Sequence, residues 1–448
     1  MSAIVTVITY GSFDLFHEGH YRLLQRAKAL GDYLIVGVTT ESYDEYRGKL
    51  NIVDSLMERI DHVRSTGFAD MIIIEENVGQ KVQDIKKYNV DIFVVGSDWT
   101  GHFEYLNKYC KVVYLERTKN ISSTMLRAKN YRILRMGIIG SGRIASRFVP
   151  EAKQVSGLNV QCVYNPNSES ASKFAAAWDV DMIPDLDEMF RSIDAVYIAS
   201  PHETHYEYTK AALEHGLHVL CEKPLTLNKA QAEELFTIAK ERKLVLMEAV
   251  KTAYCPGFNQ MLGIAHSGVI GNICDIDACF TKLESPTNRE LTDLQYGGSF
   301  TELGSYTVLP IIKLFGSNYT NISFSTIRGE NGLDLYTKAH FEYSTGIATA
   351  KCGLGVKSEG QLIISGTTGY IIVEAPWWKT SYFEVRHENP KDVERYSVRF
   401  LGDGLRYEIS DFVSIINGNN KRAFKLTAEE SIAMAGIMER FLKETRNT

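Results

Sequence analysis

Short β-branched runs alternate with helical patterns through the first half of this sequence, and this alternation is the feature that most constrains its fold. The first run, "IVTVI" at 4–8, is followed by Gly11 and then by the helical pattern "YRLLQRAKAL". Strands that alternate with helices over about 125 residues predict a parallel sheet with helices on both faces. The pattern restarts at "RILRMGIIGSGRIASRFV", 132–149, so the sequence predicts two α/β units in tandem.

The character of the sequence changes after residue 262. Segments such as "TKAHFEYSTGIATAKCGL" and "QLIISGTTGYIIVEA" are strand patterns separated by turn residues, which predicts an open, mostly antiparallel sheet. Thr427 and Glu430 form a capping-box pattern that predicts a closing helix. We therefore expect a doubly wound α/β domain over 1–131, a second α/β domain over 132–255, and an α+β open-sheet domain over 256–448.

Composition restricts the partners of the chain. Its 448 residues carry a formal charge of -6 with a pI near 6.0, so we expect no nucleic-acid partner. The 7 cysteines contain no Cys-x-x-Cys pair and lie in apolar surroundings, which favours buried free thiols in a reducing cytosol over a disulfide framework or a zinc site. With no signal-peptide pattern and no long apolar run, we expect a cytoplasmic protein without a membrane partner.

The stretch "GSFDLFHEGHYRLL", 11–24, places two histidines at the start of the first helix. A helix that follows a parallel strand presents unpaired N–H groups and a positive dipole end, where a phosphate can bind. His17 and His20, three residues apart, would point to the same side of that end. Imidazoles there can stabilise charge on a leaving pyrophosphate, although a solvated loop or a helix cap is the alternative interpretation.

Three further segments accompany this motif in chain order. "YRGKLNIVDSLMER" contributes three cations, "VVGSDWTG" ends a strand, and "YLERTKNISST" ends another strand and then supplies hydroxyls. Together with the "GxFDLxHxGH" opening, these segments resemble the glycerol-3-phosphate cytidylyltransferase family within the HxGH nucleotidyltransferases.

The resemblance implies that an alditol phosphate attacks the α-phosphate of CTP, with Mg²⁺ on the triphosphate, to give a CDP-alditol and pyrophosphate. It assigns His17 and His20 to catalysis. Ser97, the pair Lys119-Asn120, and Ser123 depart from the family pattern, which leaves the acceptor open; an adenylyltransferase is also possible, since the histidines do not read the base. The CTP and phosphate site implied by the resemblance contains Gly11, Phe13, Asp14, Arg47, Lys49, Arg59, Gly96, Asp98, Trp99, Arg117, Thr118, Ser122, Ser123 and Thr124.

The second unit opens with a glycine-rich turn. Gly140, Gly142 and Ala145 form a G-x-G-x-x-A pattern between a strand and a helix, which is typical of dinucleotide binding. About twenty residues further on, NAD enzymes usually carry an acidic residue and NADP enzymes a nearby arginine. Asn165 and Pro166 occupy this place, so the sequence leaves the choice between NAD and NADP open.

The order of later motifs resembles the Gfo/Idh/MocA oxidoreductases, with their Rossmann domain: "SPHETH", "CEKP", "MEAV" and "GGSFTELGSY". The resemblance implies that Lys223 and Tyr306 are catalytic, and we expect Lys223 to lower the pKa of Tyr306. His202, His205, Lys251, Tyr254 and Arg289 are candidates to bind substrate, with surface or packing roles as the alternative. The predicted dinucleotide site contains Gly140, Gly142, Arg143, Ile144, Asn165, Ser200, Pro201, His205 and Glu222.

The two resemblances together predict a bifunctional enzyme whose reductase makes the polyol phosphate that the transferase activates. Glycerol is the acceptor implied by the family, and ribitol or a tetritol is the competing acceptor. Two alternatives stay open: a second domain that binds a dinucleotide only for regulation, or one that reduces an unrelated sugar. Both families often self-associate, so we expect a homo-oligomer, a dimer or larger.

Overall fold

A computed structural model describes residues 4–40, 43–44, 52, 54, 56–77, 79–116, 133–417 and 425–446, without the side chains of Asp98 and Arg446. By its internal contacts the chain divides into two compact units. The first comprises Met1–Ile133 and Lys153–Leu158, and the second comprises Leu134–Ala152 and Asn159–Thr448. Residue 131, the predicted end of the first domain, lies outside the described residues.

The first unit contains a five-stranded parallel sheet in the order β3-β2-β1-β4-β5. Its strands are apolar because both faces are covered: Val7 clusters with Leu24 and Ile60 on one face, and Ile8 clusters with Ile85 on the other. The strands are β1 (Thr6–Gly11), β2 (Tyr33–Thr39), β3 (Met71–Glu75), β4 (Ile92–Gly96) and β5 (Lys111–Leu115). The described helices are α1 (Glu18–Lys28), α2 (Leu56–Ser65) and α3 (Gln80–Lys87).

The carboxyl ends of β1 and β4 form the switch point of this sheet. From the central β1 the chain runs to β2 and β3 on one side and then crosses to β4 and β5 on the other. The loops after β1 and β4 therefore diverge and open a crevice, which is where such sheets bind ligands. Residues 11–20 and 96–99, which the sequence analysis singled out, lie at this edge.

The second unit begins with a six-stranded sheet in the order β11-β10-β9-β6-β7-β8, whose switch point lies between β6 and β9. Its strands are β6 (Leu134–Ile139), β7 (Leu158–Tyr164), β8 (Asp181–Met182), β9 (Ala195–Ile198), β10 (His218–Glu222) and β11 (Leu246–Ala249). The helices between them are α4 (Arg143–Ala152), α5 (Ser168–Trp178), α6 (Leu186–Ser192), α7 (His205–Glu214) and α8 (Lys229–Glu241).

An eight-stranded mixed sheet follows, in the order β13-β14-β15-β12-β16-β17-β18-β19. Only its β12–β15 pair is parallel, so the predicted open, mostly antiparallel sheet is confirmed. Its strands are β12 (Ile273–Thr281), β13 (Asn321–Arg328), β14 (Asp334–Glu342), β15 (Ile347–Gly353), β16 (Leu362–Gly366), β17 (Gly369–Val373), β18 (Tyr382–His387) and β19 (Val393–Ser397). The remaining helices are α9 (Lys251–Tyr254), α10 (Pro256–His266), α11 (Arg289–Thr292), α12 (Ser299–Phe315), α13 (Leu405–Ile416) and α14 (Ala428–Arg446).

The closing helix α14 starts at the predicted capping box. The Thr427 N–H donates to Glu430 Oε2 at 2.8 Å, and the Glu430 N–H donates to Thr427 Oγ1 at 3.2 Å. All 7 cysteines are free thiols, as expected, but Cys274 is exposed and Cys110 is half-buried. Among the described residues, every helix is too short or too polar to span a lipid bilayer.

Candidate active sites

The loop between β1 and α1 adopts an unusual backbone. Phe13 and Leu15 have φ values of 52° and 46°, a left-handed conformation that side chains larger than glycine rarely adopt. Two carboxylates hold it: the Asp54 N–H donates to Asp14 Oδ1 at 2.9 Å, and the Leu15 N–H donates to Asp54 Oδ2 at 3.0 Å. Such strain persists only where neighbouring contacts fix it, and it is frequent at active sites.

Arg59 lies beneath this loop and fastens it to the sheet. Its guanidinium is fully buried and donates to the carbonyl oxygens of Ser12 at 2.9 Å, Thr39 at 2.7 Å and Asp54 at 3.0 Å. It also forms an ion pair with the buried Asp44 at 3.6 Å. Arg59 was predicted to bind nucleotide or substrate; its buried contacts with three carbonyl oxygens favour a positioning role instead.

The two histidines stack at the start of α1. Their ring centroids are 3.9 Å apart with an angle of 15° between the planes, and the His20 ring also packs against the ring of Phe13. His17 is the N-cap of α1, and its Nδ1 accepts the Gly19 N–H at 3.0 Å. Because Nδ1 is an acceptor, a neutral His17 carries its proton on Nε2, which can donate to a phosphate oxygen.

The other described residues of the first site lie around the same edge. A Cβ on Gly11 would contact the Phe13 ring at 3.0 Å, whereas a Cβ on Gly96 would meet no atom within 4 Å. Trp99, 45% exposed, follows β4. Phe13 is fully buried beneath this edge, and its place in the nucleotide site stays a prediction. Seven predicted residues and the Asp98 side chain lie outside the described part: Arg47, Lys49, Arg117, Thr118, Ser122, Ser123 and Thr124.

The glycine turn of the second unit leaves room for a dinucleotide. Gly140 has a φ of 100°, and a Cβ there would stand 2.5 Å from the Ala199 carbonyl oxygen at the end of β9. A Cβ on Gly142 would meet no atom within 4 Å, so the backbone beside the start of α4 is open. The turn therefore fits the pyrophosphate of NAD or NADP, which would rest against Gly142 and the N–H groups of Arg143 and Ile144.

The carboxyl end of β7 carries an amide where an acidic residue is common. Asn165 Nδ2 donates to Ser141 Oγ at 2.7 Å, and Asn165 Oδ1 accepts the Asn167 N–H at 2.9 Å. Asn167 in turn caps α5 by accepting the Ser170 N–H at 3.0 Å. This corner presents neutral polar groups to the cofactor.

Lys223 follows β10 and precedes a cis bond to Pro224. Its Nζ donates to the Glu302 carbonyl oxygen at 2.9 Å and lies 3.8 Å from Glu302 Oε2. His202 Nε2 lies 3.8 Å from the other carboxylate oxygen of Glu302. Burial raises the pKa of Glu302 and lowers that of His202 well below its ordinary value. The Glu302 carboxylate therefore lies between His202, which follows β9, and Lys223, which follows β10.

Tyr306 lies one turn after Glu302 on α12. Lys223 Nζ stands over its ring, 5.7 Å from the centroid, instead of bonding to the phenol oxygen. Burial, together with the carboxylates of Glu222 and Glu408, raises the pKa of Tyr306 well above its ordinary value. The expectation that Lys223 lowers this pKa is therefore wrong, because the phenol is surrounded by apolar groups and acids.

Two residues predicted to bind the dinucleotide are instead buried supports. The His205 nitrogens lie 2.8 Å from the Pro224 oxygen and 2.9 Å from the Ser200 oxygen, so the ring ties together the loops after β9 and β10. Burial lowers the pKa of His205 to about 4. Glu222 Oε1 accepts the Tyr197 hydroxyl at 2.6 Å inside the protein. These contacts correct both predicted roles.

The remaining candidates divide into surface and interior groups. Arg143 forms ion pairs with Glu290 and, at 3.7 Å, with Glu284. Arg289 pairs with Glu203 at 3.7 Å. Ser200 and Pro201 follow β9, facing the turn. Lys251 and Tyr254 are buried, and their side chains donate to the carbonyl oxygens of Asp403 and Glu248, which favours packing roles over the predicted substrate binding.

Sequence reasoning left Glu302 out of the predicted site. It stands within the quoted motif "GGSFTELGSY", four residues before Tyr306, so one helical turn places both side chains on the same face of α12. That spacing was a signal that could have identified it.

A stacked histidine pair at a helix N-terminus is typical of a nucleotidyltransferase, and a glycine-rich dinucleotide turn followed by a half-buried lysine is typical of an NAD(P)-linked oxidoreductase. Family models agree: residues 8–129 match the cytidylyltransferase-like family, and residues 134–250 match the Gfo/Idh/MocA oxidoreductase family with its NAD-binding Rossmann fold. The chain belongs to the cytidylyltransferase family through its first part, and it carries a Gfo/Idh/MocA oxidoreductase domain in the same polypeptide.

Curated relatives divide between the two parts. Glycerol-3-phosphate cytidylyltransferase of Bacillus subtilis is 46% identical over 121 residues, which cover 27% of this chain and 93% of that protein. The Staphylococcus aureus enzyme is 42% identical over 125 residues, covering 28% of this chain and 94% of that enzyme. The scyllo-inositol 2-dehydrogenase (NADP(+)) of B. subtilis is 29% identical over 324 residues, covering 70% and 97%.

A solved structure shows the fold of the larger part. The 3-ketoreductase KijD10 from Actinomadura kijaniata, crystallised with NADP and TDP-benzene, superimposes with a TM-score of 0.60 at 22% identity. The match covers 70% of this chain and 97% of KijD10. The identity is low, so this likeness concerns the fold alone.

Proposed function

We propose that the chain is a bifunctional enzyme, a CTP:alditol-phosphate cytidylyltransferase joined to an NAD(P)H-dependent reductase that forms the alditol phosphate. The observation that carries the proposal is the presence of two reaction sites in one polypeptide: the stacked His17–His20 pair and the Lys223–Glu302–Tyr306 group. The histidine pair lies at the switch point of the first sheet, and Lys223 follows β10 at the carboxyl edge of the second.

In the transferase, a phosphate oxygen of the alditol phosphate attacks the α-phosphorus of CTP. A new P–O bond forms while the bond to the β-phosphate oxygen breaks, so pyrophosphate leaves with the electron pair. His17 and His20 donate hydrogen bonds to phosphate oxygens as their negative charge grows, and Mg²⁺ arrives as part of the CTP substrate.

In the reductase, bound NAD(P)H supplies the hydride. The residues of this chain hold the substrate carbonyl and supply the proton that its oxygen needs. Tyr306 keeps its proton at neutral pH and can donate it to a developing alkoxide, while Glu302 orients the Lys223 ammonium beside the ring.

We propose NADPH as the preferred reductant. Asn165 stands where a carboxylate would bind the ribose of NAD and repel a 2′-phosphate. The relative named as an NADP(+) enzyme supports this choice. Comparing KM for NADPH and NADH on the full chain tests it, and a lower KM for NADH would contradict it.

Glycerol phosphate is the acceptor that the named cytidylyltransferase relatives suggest. A ribitol or tetritol phosphate is the competing acceptor, since glycerol phosphate ordinarily requires no fused reductase of this family. We further propose a homo-oligomeric, cytoplasmic enzyme with domains over 1–131, 132–255 and 256–448, whose CDP-alditol supplies a capsule, a teichoic acid or a related surface polymer.

A substrate panel tests the proposed function. The full chain is given CTP, Mg²⁺ and the phosphates of glycerol, erythritol, threitol, ribitol or arabinitol, and pyrophosphate release is measured. The matching keto and aldehyde phosphates are tested for NADPH and NADH oxidation. We expect one polyol phosphate to be both produced and activated. Activation without reduction of any matching phosphate would contradict the proposal and favour a regulatory second domain.

A further inference from the structure

An open cavity of about 600 Å³ lies in the second unit, with the Phe280 ring between it and Tyr306. Its size falls within the range of small-molecule sites. It is formed where β12 ends, together with a segment after β15 and a turn before β18. The lining residues are Phe280, Thr281, Lys282, Leu283, Lys357 and Trp378.

Aromatic rings connect this cavity with the reaction site. The Phe280 ring stacks on Trp378 with centroids 3.6 Å apart, and its edge meets the Tyr306 ring at 5.3 Å. Lys223 Nζ stands over that same Tyr306 ring. Phe280 therefore lines the cavity on one side and contacts the Tyr306 ring on the other.

The two lysines of the cavity differ in their charge partners. Lys282 Nζ pairs with Glu284 at 2.7 Å, so its charge is compensated. Lys357 Nζ donates only to neutral groups, the Thr281 carbonyl at 3.1 Å and the Thr281 hydroxyl at 3.3 Å. Within the part of the chain that the structure describes, no carboxylate lies within 4.0 Å of Lys357 Nζ.

Lys357 is an exposed residue, but its ammonium is held by two hydrogen bonds to Thr281 at the edge of a pocket that the rings of Phe280 and Trp378 also line. Thr281 is buried and fixes the Lys357 head group, since its hydroxyl also accepts the Ser358 N–H at 2.9 Å. A fixed cation beside apolar walls attracts an anionic group more strongly than one in open water. Lysine is a common point-charge ligand of phosphate.

We propose that Lys357 binds the phosphate of the reductase substrate, a short keto- or aldose phosphate whose carbon chain lies along the Phe280–Trp378 wall. This inference rests on the proposed function and adds the means by which the reductase selects a phosphorylated substrate. The same phosphate then becomes the nucleophile of the cytidylyl transfer. Selection at Lys357 would thus ensure that the reductase makes only compounds that the transferase can activate.

Steady-state kinetics of the full chain tests the inference. In Lys357→Gln we expect KM for the keto phosphate to rise about 10- to 100-fold, the loss of a charge-assisted hydrogen bond, with kcat little changed. KM for the unphosphorylated ketose should stay constant, and Lys357→Arg should restore most of the affinity. Lys282→Gln is the matched control. We expect a smaller rise of KM for the keto phosphate in this variant, because Glu284 already compensates the charge of Lys282. Inorganic phosphate should inhibit Lys357→Gln less than the wild type.

The outcomes separate this inference from the proposed function. If the wild type reduces a keto phosphate and Lys357→Gln keeps the same KM, this inference is overturned and the proposed function stands. An equal rise of KM for the unphosphorylated ketose would also overturn it, because the variant would then have damaged the site generally. A wild type that reduces only unphosphorylated sugars overturns both.

Discussion

The two switch points of this chain each bring a loop to a helix N-terminus, where a phosphate is proposed to bind, but the two loops are built differently. At the first, the loop after β1 carries the imidazoles proposed to react, and residues with left-handed φ values bend it into place. At the second, the turn after β6 contributes no reacting side chain, and its glycines let a cofactor approach. The comparison teaches that a loop that performs chemistry needs side chains and a buried scaffold, whereas a loop that only cradles a cofactor needs empty space.

The scaffolds differ accordingly. The first loop depends on charge: Arg59, Asp44 and Asp54 are buried beneath it. The second depends on steric fit, since a Cβ on Gly140 would collide with the Ala199 carbonyl. The four predictions that follow could break or sharpen this contrast.

Removing the lysine of the second site should have the largest effect. We expect Lys223→Met to lower reduction about 10²- to 10⁴-fold, the usual contribution of a group that assists proton transfer. Cytidylyl transfer should be unchanged, because the reacting groups of that step lie in the other unit. Parallel assays of NADPH oxidation and pyrophosphate release measure both activities. A matching loss of pyrophosphate release would show that the two sites are not independent.

The buried charge network should be the next most sensitive feature. Arg59→Leu leaves the Asp44 carboxylate buried without that cation, which costs about 3–5 kcal/mol in comparable pairs. Denaturant unfolding followed by a probe in the first unit measures the loss. Adding Asp44→Asn to this variant should recover part of the stability. An unfolding midpoint unchanged by Arg59→Leu would contradict the scaffold assigned to Arg59.

The two roles of His17, as the N-cap of α1 and as the proposed hydrogen-bond donor in cytidylyl transfer, can be tested separately. We expect His17→Ala to lower cytidylyl transfer about 10²- to 10³-fold, the usual cost of one lost donor to a developing charge. His17→Asn keeps a side-chain oxygen that can accept the Gly19 N–H as an N-cap. It should therefore restore helix stability but not pyrophosphate release. If His17→Asn transfers the cytidylyl group at the wild-type rate, then His17 acts only as the N-cap of α1.

The smallest expected effect is a pH dependence of stability in the second unit. Burial raises the pKa of Glu248 to about 7, while its oxygen accepts the Leu225 N–H at 2.9 Å. The pKa of Glu248 is higher in the folded than in the unfolded protein, so the protonated carboxyl favours the folded state. This contribution to the free energy of unfolding is complete below about pH 4.5 and is lost as the pH rises through about 7. Glu248→Gln removes the titrating carboxyl, so the fall of the free energy of unfolding with pH should be smaller by at most about 3 kcal/mol. Thermal unfolding between pH 5 and pH 8 checks it, and identical slopes in both proteins would contradict it.

Local patterns predicted much of the fold and part of each site. β-branched runs indicated both parallel sheets, and the spacing of His17 and His20 placed both rings at the start of α1. Gly140 was recognisable because its conformational requirement is local. These features depend on neighbours within a few residues, and sequence periodicity reports such neighbours directly.

Features set by distant contacts were not predictable. The family resemblance assigned Arg59 to nucleotide or substrate binding, and only the fold shows three carbonyl oxygens around its guanidinium. Glu408 lies a hundred residues after Tyr306, so its effect on the Tyr306 pKa had no local signal. Lys357 belongs to no motif, and only the cavity identifies it.

The hydrogen bond from Lys223 to the backbone of α12 also constrains the order of events in a catalytic cycle. Lys223 belongs to the Rossmann sheet, whereas Glu302 belongs to a helix packed on the mixed sheet. If cofactor exchange separates these layers, the bond must break, and the ammonium would then leave its place over the Tyr306 ring. An opened reductase would in that case lack the arrangement proposed for proton transfer.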